Sequence, residues 1–481
     1  MEKNIIKTFF LLLCLFLLYH FFYIFNNQSS TINSDTLWSY SFSRDVIEGV
    51  DLKNFSFPPF YYFLDIIISF IPSLPGNHLL HSMLVSPVNI CIFLFFFSRF
   101  YSSDYDFNFY KNGSLLILSI ILIYFLFIAI SYFFSLIFQS VFPLVMLKNY
   151  FFMQGNHGLS SVAALIISYN FYFRSQKFKN NLFLFILVFI FSFSDFWFAV
   201  YFLPIIGFFY LFKKDLKILI NLIYLTLVCS SALLATYFFN SELSSYKLTH
   251  NNSFDTIVGI KSIFFILYIL PISFFIYLYF KQSLTLFLRC VMFASFVSFA
   301  FIFFTNNHSY LNMRFYVFFL PLNILLIFEI LKIHFNQIKK IFFISILLLI
   351  LGISQLFTFN LTNNFMKNEF THFNFEEEIS CIKEITDKKN YTVMTDYWPG
   401  KIVFESLNRK INLISTNWIY NPSWSNLNKN ANGLIIVTYK LYPDGNMHDD
   451  LKNLIESKKS DSKMICNNKL ILIDNLKVSP N

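Results

Sequence analysis

The sequence predicts a polytopic α-helical membrane protein with a small α/β domain at its C-terminal end. Its 481 residues are 56% hydrophobic and only 13% charged, whereas an ordinary soluble domain is about a quarter charged. The apolar residues form runs of about 20, the length that a bilayer-spanning helix needs. After position 359 the runs become short and alternate between strand-like and helical patterns. The composition therefore excludes a soluble enzyme, a disordered protein and a small disulfide scaffold.

About eleven apolar segments satisfy the length rule for transmembrane helices. They lie near residues 5–26, 78–100, 114–138, 158–173, 182–197, 198–212, 218–238, 262–280, 284–305, 315–333 and 341–358. The stretch 182–212 can also form a tight helical pair with a hinge at Ser194 and Asp195. The first segment follows Lys3 and Lys7 as a signal peptide would, but no small-residue cleavage site follows it, so we expect a retained helix.

The basic residues orient these segments. The formal net charge of +9 lies mostly in residues 1–359, which hold 21 Lys or Arg and 13 Asp or Glu. Alternate loops carry 15 basic residues on one side and 6 on the other, and the richer side faces the cytoplasm. This predicts a cytoplasmic N-terminus and an outer C-terminal tail. Because topology accounts for the charge, we expect no nucleic-acid partner.

Two regions outside the predicted spans are long enough to hold a functional site. The first loop, residues 27–77, is acidic and contains the short apolar segment FYYFLDIIISFIP, which we expect to lie at the membrane interface. The tail, residues 360–481, contains the strand-like runs YTVMT, INLIS, GLIIVTY and KLILID and the helical runs FEEEISCIKEI and MHDDLKNLIES. We therefore divide the chain into a membrane domain, 1–359, which includes the first loop, and an α/β domain, 360–481.

Cys381 and Cys466 are the two cysteines predicted to lie outside the membrane. In an oxidising compartment they can pair and tie the first tail helix to the last strands. The alternative is two buried thiols. No Cys and His spacing indicates structural zinc.

Ionisable residues in so apolar a chain are the candidates for function, because a charge at membrane depth is costly. Asp35 shares a predicted helical face with Trp38 and Phe42. Its carboxylate can act as a general base or can cap a helix. Asp65 interrupts the interfacial segment, where the alternative is a surface position on an amphipathic helix.

Three further candidates follow along the chain. His157, in GNHG, stands at a helix start whose free N–H groups suit an anion, although a lone His is more often structural. Asp195, in FSFSDFW, is either a buried functional carboxylate or the cap of the sixth span. Arg314, in MRFY, opens the tenth span on the outer side and can bind a phosphate bidentately or extend to ordinary lipid headgroups.

Together these features resemble a GT-C glycosyltransferase, with many spans, a long first outer loop and a C-terminal periplasmic domain. Asp35 matches the acidic first-loop residue that serves as catalytic base in that superfamily. FPPFYYFLD with Asp65, GNHG with His157, FSFSDFW with Asp195 and MRFY with Arg314 resemble motifs of one bacterial branch. The segment DYWPGKIVFESLNRKI and the two flanking cysteines resemble its periplasmic domain. Length and layout also resemble the phage-type serotype-converting glucosyltransferases of O-antigen.

The resemblance implies transfer of a sugar, expected to be glucose, from a polyprenyl-phosphate donor to a hydroxyl of O-antigen or another surface glycan. The reaction would occur on the periplasmic side of a bacterial inner membrane, with Asp35 as the base. The implied substrate-binding residues are Asp65, His157, Asp195 and Arg314. Thr36 stands where many members have a second acidic residue, so we do not expect a divalent metal. The lipid-linked sugar donor is the one cosubstrate that the resemblance implies. Membrane lipids, the glycan acceptor, a donor-synthesising enzyme and a flippase are the implied partners.

Three other classes of protein are the alternatives to a glycosyltransferase. A flippase or transporter for lipid-linked oligosaccharides would place charges along a central path, and an O-antigen polymerase would concentrate its outer residues in central loops. Here the polar residues crowd one side, and the long outer regions are the first loop and the tail. That distribution favours the transferase. A non-catalytic scaffold with a sensing tail is the third alternative.

Overall fold

The computed structural model describes residues 9–14, 18, 34–49, 112–123, 155–174, 178–239, 270–305, 319–334, 375–395, 403–415, 433–437, 462–466 and 470–474. These residues are mostly helical and belong to two compact units. The first unit contains the described residues from 9 to 334 except 34–49. The second unit combines 34–49 with everything described from 375 onward. The helix of the predicted first loop thus belongs with the tail, whereas the sequence-based division placed that loop with residues 1–359.

Ten helices of at least ten residues lie within the described ranges. They are α1 (Ser34–Ile47), α2 (Asn112–Ile123), α3 (Gly155–Arg174), α4 (Phe178–Ser194), α5 (Phe196–Lys213), α6 (Leu216–Phe239), α7 (Leu270–Phe280), α8 (Leu286–Thr305), α9 (Phe319–His334) and α10 (Phe375–Lys388). Helices α1 and α10 belong to the second unit, and the other eight belong to the first.

Within the described ranges, two helices are long and apolar enough to cross a membrane, namely Phe196–Lys213 and Leu216–Ala235, the latter within α6. Only 22% of the α6 window is buried. Its leucines Leu216, Leu227 and Leu234 are all more than half exposed. A helix in the core of a soluble protein would bury such a face, so α6 indicates association with a membrane. The other spans of the predicted eleven stay a prediction.

Residues 178–213 form two helices instead of one. Helix α4 ends at Ser194 and α5 begins at Phe196, while the backbone of Asp195 is extended. The Asp195 carboxylate accepts a hydrogen bond of 3.0 Å from the backbone N–H of Trp197. It thereby satisfies one of the donors that the start of a helix leaves unpaired. The predicted hinge at Ser194 and Asp195 is confirmed.

Helix α5 is central to the first unit, where it contacts α3, α4, α6 and α8. Its buried residues are Trp197, Phe198, Ala199, Tyr201, Phe202, Ile205, Ile206 and Phe209. The ring of Phe198 stacks with those of Phe191 and Phe202, with centroids 5.4 and 5.3 Å away. A hydrogen bond also joins α8 to α5, where the Ser298 hydroxyl donates to the Val200 carbonyl at 2.8 Å. Dispersion between apolar side chains therefore dominates this packing.

The tail contains a five-stranded mixed sheet. Its strands are β1 (Tyr391–Thr395), β2 (Asn412–Ser415), β3 (Gly433–Val437), β4 (Ser462–Ile465) and β5 (Leu470–Asp474), in the order β2-β1-β3-β5-β4. Strand β1 is parallel to β2 and β3, and β5 is antiparallel to β3 and β4. Leu434, Ile435 and Ile436 of β3 are all buried. Burial on both faces is what a central strand with parallel pairing requires.

The predicted strand runs coincide with β1, β2, β3 and β5, and FEEEISCIKEI lies within α10. Strand β4 was missed because its four residues include Lys463 and the exposed Met464 at a sheet edge, where no apolar alternation marks a strand. The predicted helix MHDDLKNLIES and the interfacial segment FYYFLDIIISFIP lie outside the described residues.

Candidate functional site

Helix α1 carries the candidate base. Asp35 is the second residue of α1, and its side chain lies outside the part of the chain that the structure describes. The position is within the first helical turn, where the helix dipole favours a negative charge. At 3.6 residues per turn, position 35 lies about 180° around the helix axis from position 44. Positions 35 and 44 therefore lie on opposite faces of α1.

The other end of α1 pairs with the tail through buried charges. We call these residues the ion-pair cluster: Arg44, Asp45 and Glu48 from α1 and the turn after it, and Glu405 and Arg409 from the tail. Arg44 Nη1 lies 2.9 Å from Glu405 Oε2, and Arg44 also pairs with Glu48. Arg409 Nη1 lies 2.5 Å from Asp45 Oδ1 and 3.0 Å from Glu48 Oε2, and its Nη2 lies 2.6 Å from Glu405 Oε1.

Four of the five charged groups are withdrawn from solvent. The side chains of Asp45 and Glu405 are 0% exposed, those of Arg44 and Arg409 are 5% and 8% exposed, and that of Glu48 is 37% exposed. A buried charge is tolerated when it is paired and hydrogen-bonded. Every member of the cluster is ion-paired, with two cations among three anions, although the buried Arg44 Nε has no hydrogen-bond partner.

Ser41 adds two hydrogen bonds to charged groups of the cluster. Its hydroxyl donates to Glu405 Oε1 at 2.7 Å, and its carbonyl accepts a hydrogen bond of 2.9 Å from Arg409 Nη2. Glu405 thus receives donors from Ser41, Arg44 and Arg409. One tail carboxylate therefore connects two turns of α1.

A short helical turn presents the tail side of the cluster. Residues 403–406 are helical, and Asn408 and Arg409 follow in the left-handed region with φ of 54° and 59°. Residues other than Gly adopt this conformation at an energetic cost. The backbone N–H of Arg409 donates to the Phe404 carbonyl at 2.9 Å, and its guanidinium lies 5.6 Å from the Phe404 ring centroid. This geometry keeps Arg409 beside Glu405.

The surroundings of Arg409 keep it charged. Burial lowers the pKa of the Arg409 guanidinium, but the hydrogen bonds and charge of Glu405, with the charges of Asp45 and Glu48, outweigh burial and raise it. Arg409 is therefore a permanent cation at the centre of the cluster.

A disulfide joins α10 to the far edge of the sheet. Cys381 of α10 is bonded to Cys466, which directly follows β4, across a separation of 85 residues. Of the two alternatives that the sequence left open, the bonded one is present. Disulfides persist in oxidising compartments.

The remaining candidates are distributed as follows. Asp195 is 2% exposed and caps α5, so its capping role is established, and substrate binding by it stays a prediction. His157 lies in the first turn of α3, but its side chain is not among those described. Asp65 and Arg314 lie outside the described residues. Among the described residues, no group of three His, Cys, Asp or Glu is arranged to hold a metal ion.

Glu405 and Arg409 are not among the site residues that the sequence predicts. They lie in DYWPGKIVFESLNRKI, a segment singled out without roles for its side chains. Arg44 was one of the few basic residues on the outer side. A Glu and an Arg four residues apart suggest a local helical pair, but no local pattern identifies a partner more than 360 residues away.

No known protein family, curated protein or solved structure matches this chain. Its function is therefore argued from its own residues and from the geometry described above.

Proposed function

We propose that the chain is an integral-membrane glycosyltransferase of GT-C-like architecture, with about eleven spans and a periplasmic α/β domain. It would transfer a sugar, glucose in this proposal, from a polyprenyl-phosphate donor to a hydroxyl of O-antigen or another surface glycan. The observation that carries the proposal is the anchoring of α1, the helix with the candidate base, to the tail by the ion-pair cluster. A catalytic group needs such a rigid and supported element.

The ion-pair cluster supports the proposed topology. Buried side chains separated by 361 to 364 residues can pair only if both segments lie on the same side of the bilayer. An even number of spans must then lie between them, as in the proposed arrangement with about ten. The Cys381–Cys466 disulfide favours the oxidising, periplasmic side.

The proposed reaction is a displacement at the anomeric carbon of the sugar. The acceptor hydroxyl forms the new C–O bond while the bond between the sugar and the phosphate breaks, and its electron pair leaves on the phosphate. Asp35 takes the hydroxyl proton as general base. Arg314, with His157, binds the phosphate and stabilises its charge as it leaves. Asp65 and Asp195 complete the proposed substrate-binding set.

The proposal is tested by expressing the full chain in a host of known O-antigen structure and measuring the mass of the glycan by mass spectrometry. We expect a hexose increment with the native chain and almost none with Asp35→Asn, because a general base contributes about 10²–10⁴-fold to rate. The matched control is Asp51→Asn, in the same loop, which should transfer normally. Membrane abundance and the tail disulfide report insertion and folding.

Two results would contradict the proposal. Near-normal modification by Asp35→Asn removes Asp35 from the role of base. If the native chain adds no sugar, the protein is not the proposed transferase. Altered export of lipid-linked intermediates would then favour a transporter for lipid-linked oligosaccharides.

Arg314→Ala separates donor binding from proton transfer. We expect a higher donor concentration at half-maximal rate, because the variant lacks a bidentate phosphate contact. Donor saturation is measured with membranes and purified lipid donor. An unchanged saturation curve would show that Arg314 does not bind the phosphate.

A further inference from the structure

We propose that Glu405 and Arg409 are positioning residues for sugar transfer, which hold α1 in place so that turnover requires a docked tail. The inference rests on the proposed function, because it assumes that Asp35 acts from α1. It gives the tail a role in turnover besides any contact with the acceptor.

Helix α1 is a direct mechanical link between the cluster and Asp35. It is continuous from Ser34 to Ile47, and six residues separate Asp35 from Ser41, about 9 Å along a helix axis. Tyr40 and Phe42 next to Ser41 are buried. A helix this short moves as one body, so a displacement at the cluster also displaces Asp35.

Arg409 is the central contact of the cluster. It is ion-paired with all three acids, Asp45, Glu48 and Glu405, and it also donates to the Ser41 carbonyl. Arg44 pairs with two of the acids. Replacing Arg409 by a neutral residue leaves three anions beside one cation, and their repulsion favours a separated α1.

Glu48 provides a matched control within the same cluster. It is the most exposed member and lies at the solvent edge. Glu48→Gln leaves two cations and two buried anions, so the charge becomes balanced. The variant loses one acid yet should keep α1 docked.

A positioning role and a purely structural role predict different kinetics. If the cluster only stabilises the tail, its loss lowers the amount of protein and leaves the turnover of the surviving protein unchanged. If it positions Asp35, kcat falls in protein that is folded and inserted, while the KM for the donor stays nearly unchanged. A misplacement of about 1 Å can cost on the order of 100-fold in rate.

The experiment uses the full chain in membranes with purified lipid donor, in the native form and as Arg409→Gln, Arg409→Lys, Glu48→Gln and Asp35→Asn. Docking of α1 is followed separately by Ser43→Cys, since Ser43 is a fully buried α1 residue. Its rate of labelling by a membrane-impermeant maleimide reports whether α1 has separated from the tail. Ser43→Cys alone must first retain transfer.

We expect kcat of Arg409→Gln to fall by about 10- to 100-fold with donor KM within about twofold of native. Maleimide labelling should be faster than in the Ser43→Cys protein without this substitution, while the disulfide stays intact. Arg409→Lys should be intermediate, because it keeps the charge and loses the fork of donors. Glu48→Gln should match the native chain in both measurements.

The outcomes distinguish this inference from the proposed function. If the native chain transfers sugar, Asp35→Asn does not, and Arg409→Gln keeps a native kcat, the positioning role is wrong and the transferase stands. If Arg409→Gln does not accumulate, Arg409→Lys decides, and a native kcat in that variant rejects the role. If the native chain transfers no sugar, both proposals fail together.

Discussion

Different interactions stabilise the interior of each of the two compact units. In the first unit, α5 packs through stacked rings such as Phe191, Phe198 and Phe202, and a serine hydroxyl links α8 to it. In the second unit, a disulfide and five charged side chains connect elements far apart in sequence. Both kinds of packing exclude solvent, but they differ in how narrowly they specify a partner.

That difference has consequences for substitution. Apolar packing tolerates exchanges of similar volume at a modest cost. A buried ion pair tolerates no loss of one partner, because the other charge stays in a medium that solvates it poorly. We therefore expect substitutions at a few positions of the second unit to lower its stability strongly. In the first unit we expect smaller losses of stability, spread over many positions.

The largest expected effect is that of Glu405→Ala. Removal of this carboxylate leaves Arg44 and Arg409 buried with fewer anionic partners, and breaking a buried pair costs about 3–5 kcal/mol. The measurement is the urea concentration at which α1 and the tail become sensitive to a protease in the purified full chain.

The control for Glu405→Ala is Glu384→Ala on α10. The hydrogen bond and charge of Lys388 lower the pKa of Glu384, yet both side chains are 70% exposed. Solvent screens such a pair, so we expect no measurable change. Equal losses from the two variants would show that burial does not set the strength of these pairs.

The second effect in size is that of the disulfide. Cys381→Ser combined with Cys466→Ser should destabilise the tail by about 2–4 kcal/mol. The reason is that, without the bond, the unfolded chain regains the conformational entropy that a crosslink across 85 residues removes. The same urea titration measures it. A reducing agent should lower the urea midpoint of the native chain and leave that of the double variant unchanged. If the reducing agent also lowers the midpoint of the double variant, its effect does not come from the Cys381–Cys466 bond.

The smallest effect tests the Asp195 cap of α5 in the first unit. Asp195→Ala should cost about 0.5–2 kcal/mol, because α5 loses the acceptor for the Trp197 N–H. Asp195→Asn keeps an acceptor oxygen and should be nearly as stable as the native chain. Thermal unfolding in detergent compares the two.

The Asn variant also separates the two interpretations of Asp195. A stable Asp195→Asn protein with weakened donor saturation supports the predicted binding role of the charge. A stable variant with native transfer reduces Asp195 to a helix cap. Equal instability of the Ala and Asn variants would mean that the negative charge itself, and not the hydrogen bond, supports α5.

Sequence patterns predicted the features that depend on local periodicity. The hinge at Asp195, the four longer apolar strand runs and helix α10 all follow from residues within a few positions of one another. The edge strand β4 was not predicted, because its four residues, which include Lys463, carry no apolar periodicity. In the candidate site, the sequence predicts Asp35 from its chemistry, but it does not predict the ion-pair cluster that supports the helix of Asp35.

The sequence by itself determined that this chain contains long apolar helices and a tail of strands, because the period of apolar residues sets both. It also limited the tail cysteines to two alternatives. Only the tertiary structure decided that Cys381 bonds to Cys466, and that Arg409 pairs with Asp45 at a separation of 364 residues. The physical reason is that a charge selects its partner by distance in space and by shared exclusion from water, and neither quantity is encoded in any local run of residues.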